Sequence, residues 1–218
     1  MDLRRHVELF DPEEFTTPIT IIGAGATGSF VAYQLAKLGI EDITVYDFDK
    51  IEPHNIPNQL FGINDVGEMK VDALKERIYN DTGIEIKIVA DKFTTQRLSG
   101  VVIMQVDSMK ERGRIFNQHI YLKPNVKLMI ESRMGLDMGR VYNINPIDLK
   151  SSKRYQESLY GDEDSEVSAC GASMTVITSA INIASMVVRQ VINWHNKEEL
   201  DSEIMIDYIY NQIVSNKY

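Results

Sequence analysis

The chain has 218 residues, of which 44% are hydrophobic, enough to bury a substantial core in one domain. Its net charge of −9 argues against general nucleic-acid binding, which depends on clustered Lys and Arg side chains. No run approaches the roughly 18 apolar residues of a membrane span. The N-terminal sequence is too polar for a secretory signal, so we expect a cytoplasmic protein that does not bind membranes. The one cysteine, Cys170, excludes an internal disulfide and a four-cysteine zinc site.

Residues 18–49 predict a complete strand–turn–helix–strand unit. Residues 19–22 form an apolar, β-branched run, and the glycines that follow, Gly23, Gly25 and Gly28, have the spacing G-x-G-x-x-G before a helical pattern. In such a loop the first glycine permits a tight turn, the second lets backbone approach a phosphate, and the third lets the helix pack on the strand. The free N–H groups at the start of the helix then face an anion.

The second strand of this unit, residues 42–46, is followed directly by Asp47. An acidic residue at about this distance from the glycine loop commonly hydrogen-bonds a ribose hydroxyl. The glycines and Asp47 together favour a mononucleotide or dinucleotide site. The alternative is a tight turn with a purely structural role.

The rest of the chain alternates helical and strand patterns, as in a doubly wound sheet. The run 101–106 is apolar almost throughout, which is typical of a parallel strand covered on both faces, and Asp107 follows where chemistry is expected. Residues 148–168 are polar and acidic and predict a long excursion or mobile loop. The other predicted elements are helices at 69–79, 108–120 and 172–194 and strands at 84–90, 126–130, 139–145 and 204–210. We therefore predict one α/β domain over 1–218, with a Rossmann-like doubly wound sheet whose parallel strands are extended by antiparallel strands near the C-terminus.

Two further motifs follow the second strand. Residues 47–59 read DFDKIEPHNIPNQ, and residues 66–70 read VGEMK. They resemble the patterns D-x-D-x-[VI]-x-x-x-N-[LI]-x-R-Q and V-G-x-x-K of the ThiF/MoeB/HesA adenylyltransferases, which are relatives of ubiquitin-activating enzymes. Asp107, the serine after it and Arg112 also match that family's D-[NS]-x-x-x-R element. The resemblance extends over about 10–190, and the spacing of its parts makes it much more specific than the glycine loop alone.

The resemblance implies a site for ATP and magnesium. It places the nucleotide against the three glycines and these polar side chains: Asp47 at the ribose, Asn55 and Lys70 at the phosphates, and Asp49, Asn58 and Gln59 close by. It makes Lys70 and Asp107 catalytic candidates, with Asp107 holding the magnesium. Structural alternatives remain open, because Lys70 can be a solvated surface residue at the start of a helix and Asp107 can be a helix cap. A loop carboxylate such as Asp49 is more often unliganded.

One position departs from the family pattern. Asn58 stands where the family carries an arginine that contacts the phosphates, and a neutral amide supplies no fixed positive charge. Related enzymes also send an N-terminal arginine across to the partner subunit's ATP, so Arg4 or Arg5 can compensate in a homodimer. Arg133, which follows a buried strand, is a third candidate cation. The paired C-x-x-C elements are missing as well, so we expect no zinc.

Cys170 is the one thiol that can act as a nucleophile. It immediately precedes the predicted helix 172–194, and a helix N-terminus favours thiolate. The neighbouring carboxylates in 162–166 oppose this effect, because they raise a thiol pKa. Some members of the resembled family transfer the activated protein onto a cysteine in this region. Both a covalent role and a buried structural role for Cys170 therefore stay open.

We therefore expect a homodimeric, zinc-free adenylyltransferase that uses Mg-ATP to activate the C-terminal carboxylate of a ubiquitin-like or sulfur-carrier protein. Three alternatives remain: an adenylating enzyme for another carboxylate, such as one on a tRNA base; a catalytically weakened scaffold that binds nucleotide and recognises a partner; and a nicotinamide oxidoreductase. The acidity of the chain disfavours the tRNA substrate.

Overall fold

The computed structural model describes residues 1–160 and 175–217. In this part of the chain eight strands form one sheet in the order β3-β2-β1-β4-β5-β6-β7-β8. The strands are β1 (Ile19–Ile22), β2 (Ile43–Tyr46), β3 (Lys87–Val89), β4 (Gly100–Met104), β5 (Val126–Met134), β6 (Met138–Ile144), β7 (Glu203–Asp207) and β8 (Gln212–Asn216). Neighbours from β3 to β5 are parallel, and those from β5 to β8 are antiparallel. The predicted fold class is confirmed.

Helices cover both faces of the sheet. On one face lie α1 (Ala26–Lys37), α2 (Lys70–Thr82) and α5 (Ile177–His195), and on the other lie α3 (Met109–Ile115), which continues into one turn of π-helix, and α4 (Leu149–Glu157). The central strand β4 supplies both cores, because successive side chains of a strand point to opposite faces. Val101 and Ile103 pack with the first group, and Val102 and Met104 pack with the second.

The predicted excursion at 148–168 is wrong in its first half. Residues 149–157 form α4, which begins at Asp148, whose Oδ1 accepts a hydrogen bond from the Lys150 N–H at 2.8 Å. Two residues of α4 are buried, Ser152 and Tyr155, so the helix has too few apolar residues to show a periodic pattern. Residues 161–168 of the predicted excursion lie outside the described residues.

The predicted closing strand at 204–210 is wrong in its second half. The strand β7 ends at Asp207, where Oδ1 accepts hydrogen bonds from the N–H groups of Ile209 and Tyr210, both at 2.9 Å. The chain therefore turns at the two tyrosines that continued the alternation, and β8 returns beside β7 as a hairpin. Elsewhere β3 is shorter than predicted, β5 runs on to Met134, and α5 begins at Ile177.

Within 1–160 and 175–217, no helix is both long enough and apolar enough to span a bilayer.

Candidate functional site

The glycine loop connects β1 to α1 at the carboxyl end of the parallel strands. Gly23 has a φ of +103°, and a Cβ there would lie 2.5 Å from the carbonyl oxygen of Gln105, the residue after β4. A Cβ on Gly28 would clash with the carbonyl oxygen of Gly23. These two glycines are therefore required by the turn and by the close packing of α1 on the loop, as the sequence predicted.

Gly25 has a different environment. A Cβ at this position would meet no atom of the described chain within 4 Å, so the residue borders open space. Gly25 is also the N-cap of α1, where no side chain in the described residues caps the helix and the first turn carries no acidic residue. The first N–H groups of α1 and the positive end of its dipole are thus available to an anion in that space.

Asp47 braces the glycine loop from the end of β2. Its Oδ2 accepts a hydrogen bond from the Ala24 N–H at 2.6 Å, and its Oδ1 accepts one from the Asp49 N–H at 2.8 Å. Burial raises the pKa of Asp47, although these two N–H groups and the nearby charge of Lys70 counteract part of the effect. The carboxylate lies beside the loop, where a ribose contact is possible, and that role stays a prediction.

Lys70 is buried at the start of α2. Its side chain is 8% exposed, and Nζ donates a hydrogen bond to Oδ2 of Asp49 at 2.8 Å. The alternative in which Lys70 is a solvated surface residue is therefore wrong. The backbone also holds it in place, because the Lys70 N–H donates to the carbonyl oxygen of Asp49 at 3.0 Å. The structure thus brings a fixed cation close to Asp47 and the glycine loop.

The segment between β2 and α2 contains the three predicted amide side chains. Asn55 is buried, and its Oδ1 accepts a hydrogen bond from the Glu52 N–H at 2.9 Å, so it stabilises the turn. Asn58 Nδ2 donates to Oγ1 of Thr175, which lies two residues before α5. Asn58 Oδ1 and Gln59 Oε1 are buried, and neither finds a hydrogen-bond donor among the described residues. Asn58 therefore ties this segment to the start of α5, where the family pattern has a charge.

Asp107 lies exposed beyond the end of β4. The N-cap of α3 is Ser108, whose Oγ accepts a hydrogen bond from the Glu111 N–H at 3.3 Å, so the alternative of Asp107 as the cap is wrong. Magnesium in nucleotide sites is commonly held by one or two carboxylates together with the phosphates, and a single exposed carboxylate at this edge fits that pattern. Among the described residues, no group of three or more His, Cys, Asp or Glu side chains could hold a metal ion. A magnesium ion at Asp107 would therefore need the phosphates as further ligands.

A buried ion cluster joins β5 to α3 and α4. Arg112 Nη1 and Arg133 Nε both donate to Oε1 of Glu131, the second at 2.7 Å. Burial alone would raise the pKa of Glu131, but the two guanidinium groups outweigh it and hold that pKa below its usual value. Arg133 also donates to the carbonyl oxygen of Ser158 at 2.7 Å and lies 4.5 Å from the ring centre of Tyr142.

Arg133 was predicted as a candidate cation for the phosphates. The structure places its guanidinium in this cluster, and a role at the phosphates stays a prediction. The sequence analysis missed Glu131, its counterion. The signal was available, since Glu131 interrupts the apolar run of β5 two residues before an arginine, and a charge in a buried strand needs a partner.

A model of the ThiF family matches residues 14–214. The chain belongs to the ThiF family. The predicted family is therefore confirmed, over nearly the whole chain.

Curated relatives agree with this membership. The tRNA threonylcarbamoyladenosine dehydratase of Bacillus subtilis is 36% identical over 75 residues, which are 34% of this chain and 29% of that protein. The ubiquitin-like modifier-activating enzyme 5 of Caenorhabditis elegans is 25% identical over 122 residues, or 56% of this chain and 28% of that enzyme. Each match thus spans less than a third of the relative's length.

Among solved structures, E. coli MccB in complex with succinimide aligns with a TM-score of 0.75 and 18% identity. The alignment covers 97% of this ThiF-family chain and 66% of the MccB chain. At this identity the likeness shows a shared fold.

Three candidates of this ThiF-family site remain: two N-terminal arginines and the cysteine. Arg4 and Arg5 are exposed in the N-terminal segment, where Arg4 forms an ion pair with Asp2 at 2.6 Å. Cys170 lies outside the described residues. The structure therefore brings together the glycines, Asp47, Asp49 and Lys70, and it places neither N-terminal arginine with them.

Proposed function

We propose that this chain binds Mg-ATP and adenylates the C-terminal carboxylate of a small ubiquitin-like or sulfur-carrier protein or of a peptide. The observation that carries the proposal is the space bordered by Gly25 and the free N–H groups of α1, with the buried cation of Lys70 nearby. Family membership supports it, and so do the descriptions of MccB, which has been crystallised with ATP and, separately, with AMPCPP and MccA.

The proposed reaction joins two anions. A carboxylate oxygen of the substrate attacks the α-phosphorus of ATP, the bond from that phosphorus to the bridging oxygen breaks, and pyrophosphate leaves with the electron pair. The α1 N–H groups and Lys70 would stabilise the negative charge that accumulates on the phosphates. Magnesium held by Asp107 and the phosphates would offset the remaining charge. Asp47 would orient the ribose and keep the glycine loop closed around the nucleotide.

A scaffold that binds nucleotide without efficient chemistry is the second candidate. Two observations favour it: Asn58 is uncharged, and the guanidinium of Arg133 is already bonded to Glu131 and Ser158. A nicotinamide oxidoreductase finds no support in the family membership.

We also propose a homodimer in which Arg5 acts on the partner's nucleotide. The support is that Arg5 is exposed and lies in the N-terminal segment, outside the glycine loop and its neighbours. Light scattering at micromolar concentration tests this proposal, and a fully active monomer contradicts it.

The test of the nucleotide assignment compares ligands and two matched lysine variants. Mg-ATP should raise the melting temperature and NAD should not, because a ligand that binds the native state stabilises it. Lys70→Gln should weaken ATP binding by about tenfold or more, since it removes a buried cation. Lys75→Gln, on the exposed side of the same helix, should leave binding unchanged. Stabilisation by NAD and not by ATP overturns the proposal.

Adenylation itself is tested by ATP–pyrophosphate exchange with candidate carrier proteins and peptides. Exchange that depends on the free terminal carboxylate supports the enzyme, because only a reversible adenylation returns labelled pyrophosphate to ATP. Tight ATP binding without exchange for any carboxylate favours the scaffold.

A further inference from the structure

A polar cleft of about 230 Å³ lies between α4, β6 and the start of β7, on the face of the sheet opposite α1. Two arginines, two glutamates, a serine and a tyrosine form most of its polar lining: Arg140, Arg154, Glu157, Glu203, Ser158 and Tyr142. None of these residues belongs to the nucleotide site described above. The cleft is therefore a second concave, charged feature of the fold.

The charged side chains in the lining of the cleft are balanced, with two arginines and two glutamates, and further positive charges lie next to it. The helix α4 carries three cations and one acidic side chain over its nine residues, in a chain of net charge −9. Behind the cleft the buried cluster adds another positive charge, since Arg112 and Arg133 share the single carboxylate of Glu131. The net positive charge of this cluster favours an anionic group in the cleft.

Arg140 gives the cleft a guanidinium that a ligand can reach. Its side chain is 42% exposed, and its Nη1 donates to Oε1 of Glu203 at 3.1 Å. A hydrogen bond with Tyr142 raises the pKa of Arg140, so the group stays charged at all ordinary pH values. Because a guanidinium has five N–H donors in a planar fork, it can hold Glu203 and a second carboxylate together.

The strand register fixes the separation of the cleft from the nucleotide site. Ile22 of β1, Met104 of β4, Glu131 of β5 and Tyr142 of β6 are paired in succession, so Tyr142 lies level with the residue before Gly23. Three strand spacings of about 4.8 Å put the backbone of Tyr142, in the nearer wall of the cleft, roughly 14 Å from the residue before the glycine loop. An extended peptide covers that distance in about four residues.

We propose that the cleft binds an acidic side chain of the substrate, four or five residues before the carboxylate that is adenylated. This inference rests on the proposed function, because the nucleotide site defines where the reacting carboxylate lies. Arg133 supports the cleft from behind, because its guanidinium is bonded to Ser158 and stacked on Tyr142, both of which line the cleft. The cleft thus selects substrates by an acidic residue at a fixed distance from their C-terminus.

The test uses fluorescently labelled decapeptides of Gly, Ala and Ser with a free C-terminal carboxylate and one glutamate moved through the last seven positions. Binding is measured by anisotropy with a non-hydrolysable ATP analogue present. Glutamate four or five residues from the end should bind about tenfold more tightly than glutamine there or glutamate elsewhere. Arg140→Gln and Arg154→Gln should each remove most of that preference. Arg97→Gln, an exposed arginine before β4, should retain it.

The outcomes separate this inference from the proposed function. A positional preference that the Arg140 and Arg154 variants abolish supports the cleft, whether or not any peptide undergoes pyrophosphate exchange. A preference that survives in both variants, an equal affinity at every position, or no binding up to about 1 mM overturns it. Pyrophosphate exchange that proceeds without any preference for the position of the glutamate would support adenylation and refute the role of the cleft. Melting temperatures of the three variants show that each is folded.

Discussion

A buried cation lies against a carboxylate in the parallel half of the sheet and again on β5, where the antiparallel half begins, and the two pairs differ in the exposure of the carboxylate. Lys70 is paired with Asp49, whose side chain is 48% exposed. Arg133 is paired with Glu131, whose side chain is 0% exposed. Water can solvate Asp49 if Lys70 turns towards a phosphate. Glu131 has no such access, so the departure of Arg133 would leave a buried charge with one partner fewer.

This contrast assigns different roles to the two cations. Lys70 can exchange its carboxylate for a ligand at a lower cost, because the half-exposed Asp49 regains water and a phosphate replaces it as the counterion of the buried Lys70. Removal of one partner from a buried pair costs about 3–5 kcal/mol, which would consume much of the binding energy of a phosphate. We therefore infer that Lys70 serves the nucleotide and that Arg133 holds α4 to β5.

Among the substitutions that test this comparison of the two ion pairs, Glu131→Gln is expected to have the largest effect. We expect it to lower the free energy of unfolding by about 3–5 kcal/mol, because two buried guanidinium groups lose their counterion. Asp49→Asn should cost less, because only one buried cation loses a partner and the carboxylate of Asp47 stays close to it. Urea denaturation of both variants measures the difference. Equal losses would show that the two pairs are equivalent and that the inferred division of roles is wrong.

The dependence on pH sharpens the same test. Since the pKa of Glu131 lies below its usual value of 4.5 in the folded state, its ion pairs stabilise the protein fully above that value and lose their contribution as the pH falls through the lowered pKa. The loss of unfolding free energy caused by Glu131→Gln should therefore be largest near neutral pH and become smaller in acid. The exposed Glu85→Gln, measured as a control, should show a small deficit throughout.

The next effect concerns the cation that replaces the missing family arginine. With Arg133 held by Glu131 and Arg4 paired with Asp2, Arg5 is the candidate that we test for the proposed contact with a partner's nucleotide. We expect Arg5→Ala to reduce pyrophosphate exchange about a hundredfold without changing the melting temperature, because it removes a charge that acts in the transition state. Arg97→Ala serves as the matched exposed arginine. If both variants exchange like the parent chain, Arg5 has no such role.

Substitutions at two glycines of the loop distinguish a packing role from a role in ligand binding. Gly28→Ala should destabilise the fold by about 1–3 kcal/mol or more, because its Cβ meets the Gly23 carbonyl. Gly25→Ala should leave stability nearly unchanged and weaken ATP binding, because its Cβ projects into the space proposed for a phosphate. Thermal melts with and without Mg-ATP measure both effects. A Gly25→Ala protein with parental ATP affinity would place the phosphates elsewhere.

The smallest effect is expected for Asn58→Arg. If Arg5 and Lys70 supply the positive charge, a new arginine at this position should change the exchange rate by less than about threefold, whereas an arginine that restores a missing finger is worth about a thousandfold or more. The variant also loses the contact from Asn58 to Thr175, so its melting temperature should fall slightly. A large gain in rate would show that the site had simply lost its cation.

The difference between the halves also explains what the sequence could predict. The glycine loop, Asp47 and Lys70 belong to one continuous stretch with fixed spacing, so local patterns locate them and their elements. The helix α4 was missed because it is largely polar, and β8 was missed because it is exposed and Tyr208 and Tyr210 extended the alternation into a turn. The pairing of Glu131 with Arg112 depends on a tertiary contact between β5 and α3, which local periodicity does not contain. The pairing with Arg133 lies within β5, and the spacing of the two residues was a signal that the sequence offered.

The most direct test of adenylation follows an oxygen atom. A decapeptide that ends in Gly-Gly and carries a heavy oxygen isotope in its terminal carboxylate is incubated with the chain, Mg-ATP and hydroxylamine, and the products are weighed by mass spectrometry. We predict a peptide hydroxamate, pyrophosphate, and AMP that has gained one heavy oxygen, because the carboxylate oxygen that attacked the α-phosphorus leaves with AMP. Isotope-free AMP, or ATP that is bound and only hydrolysed to ADP, would contradict the account.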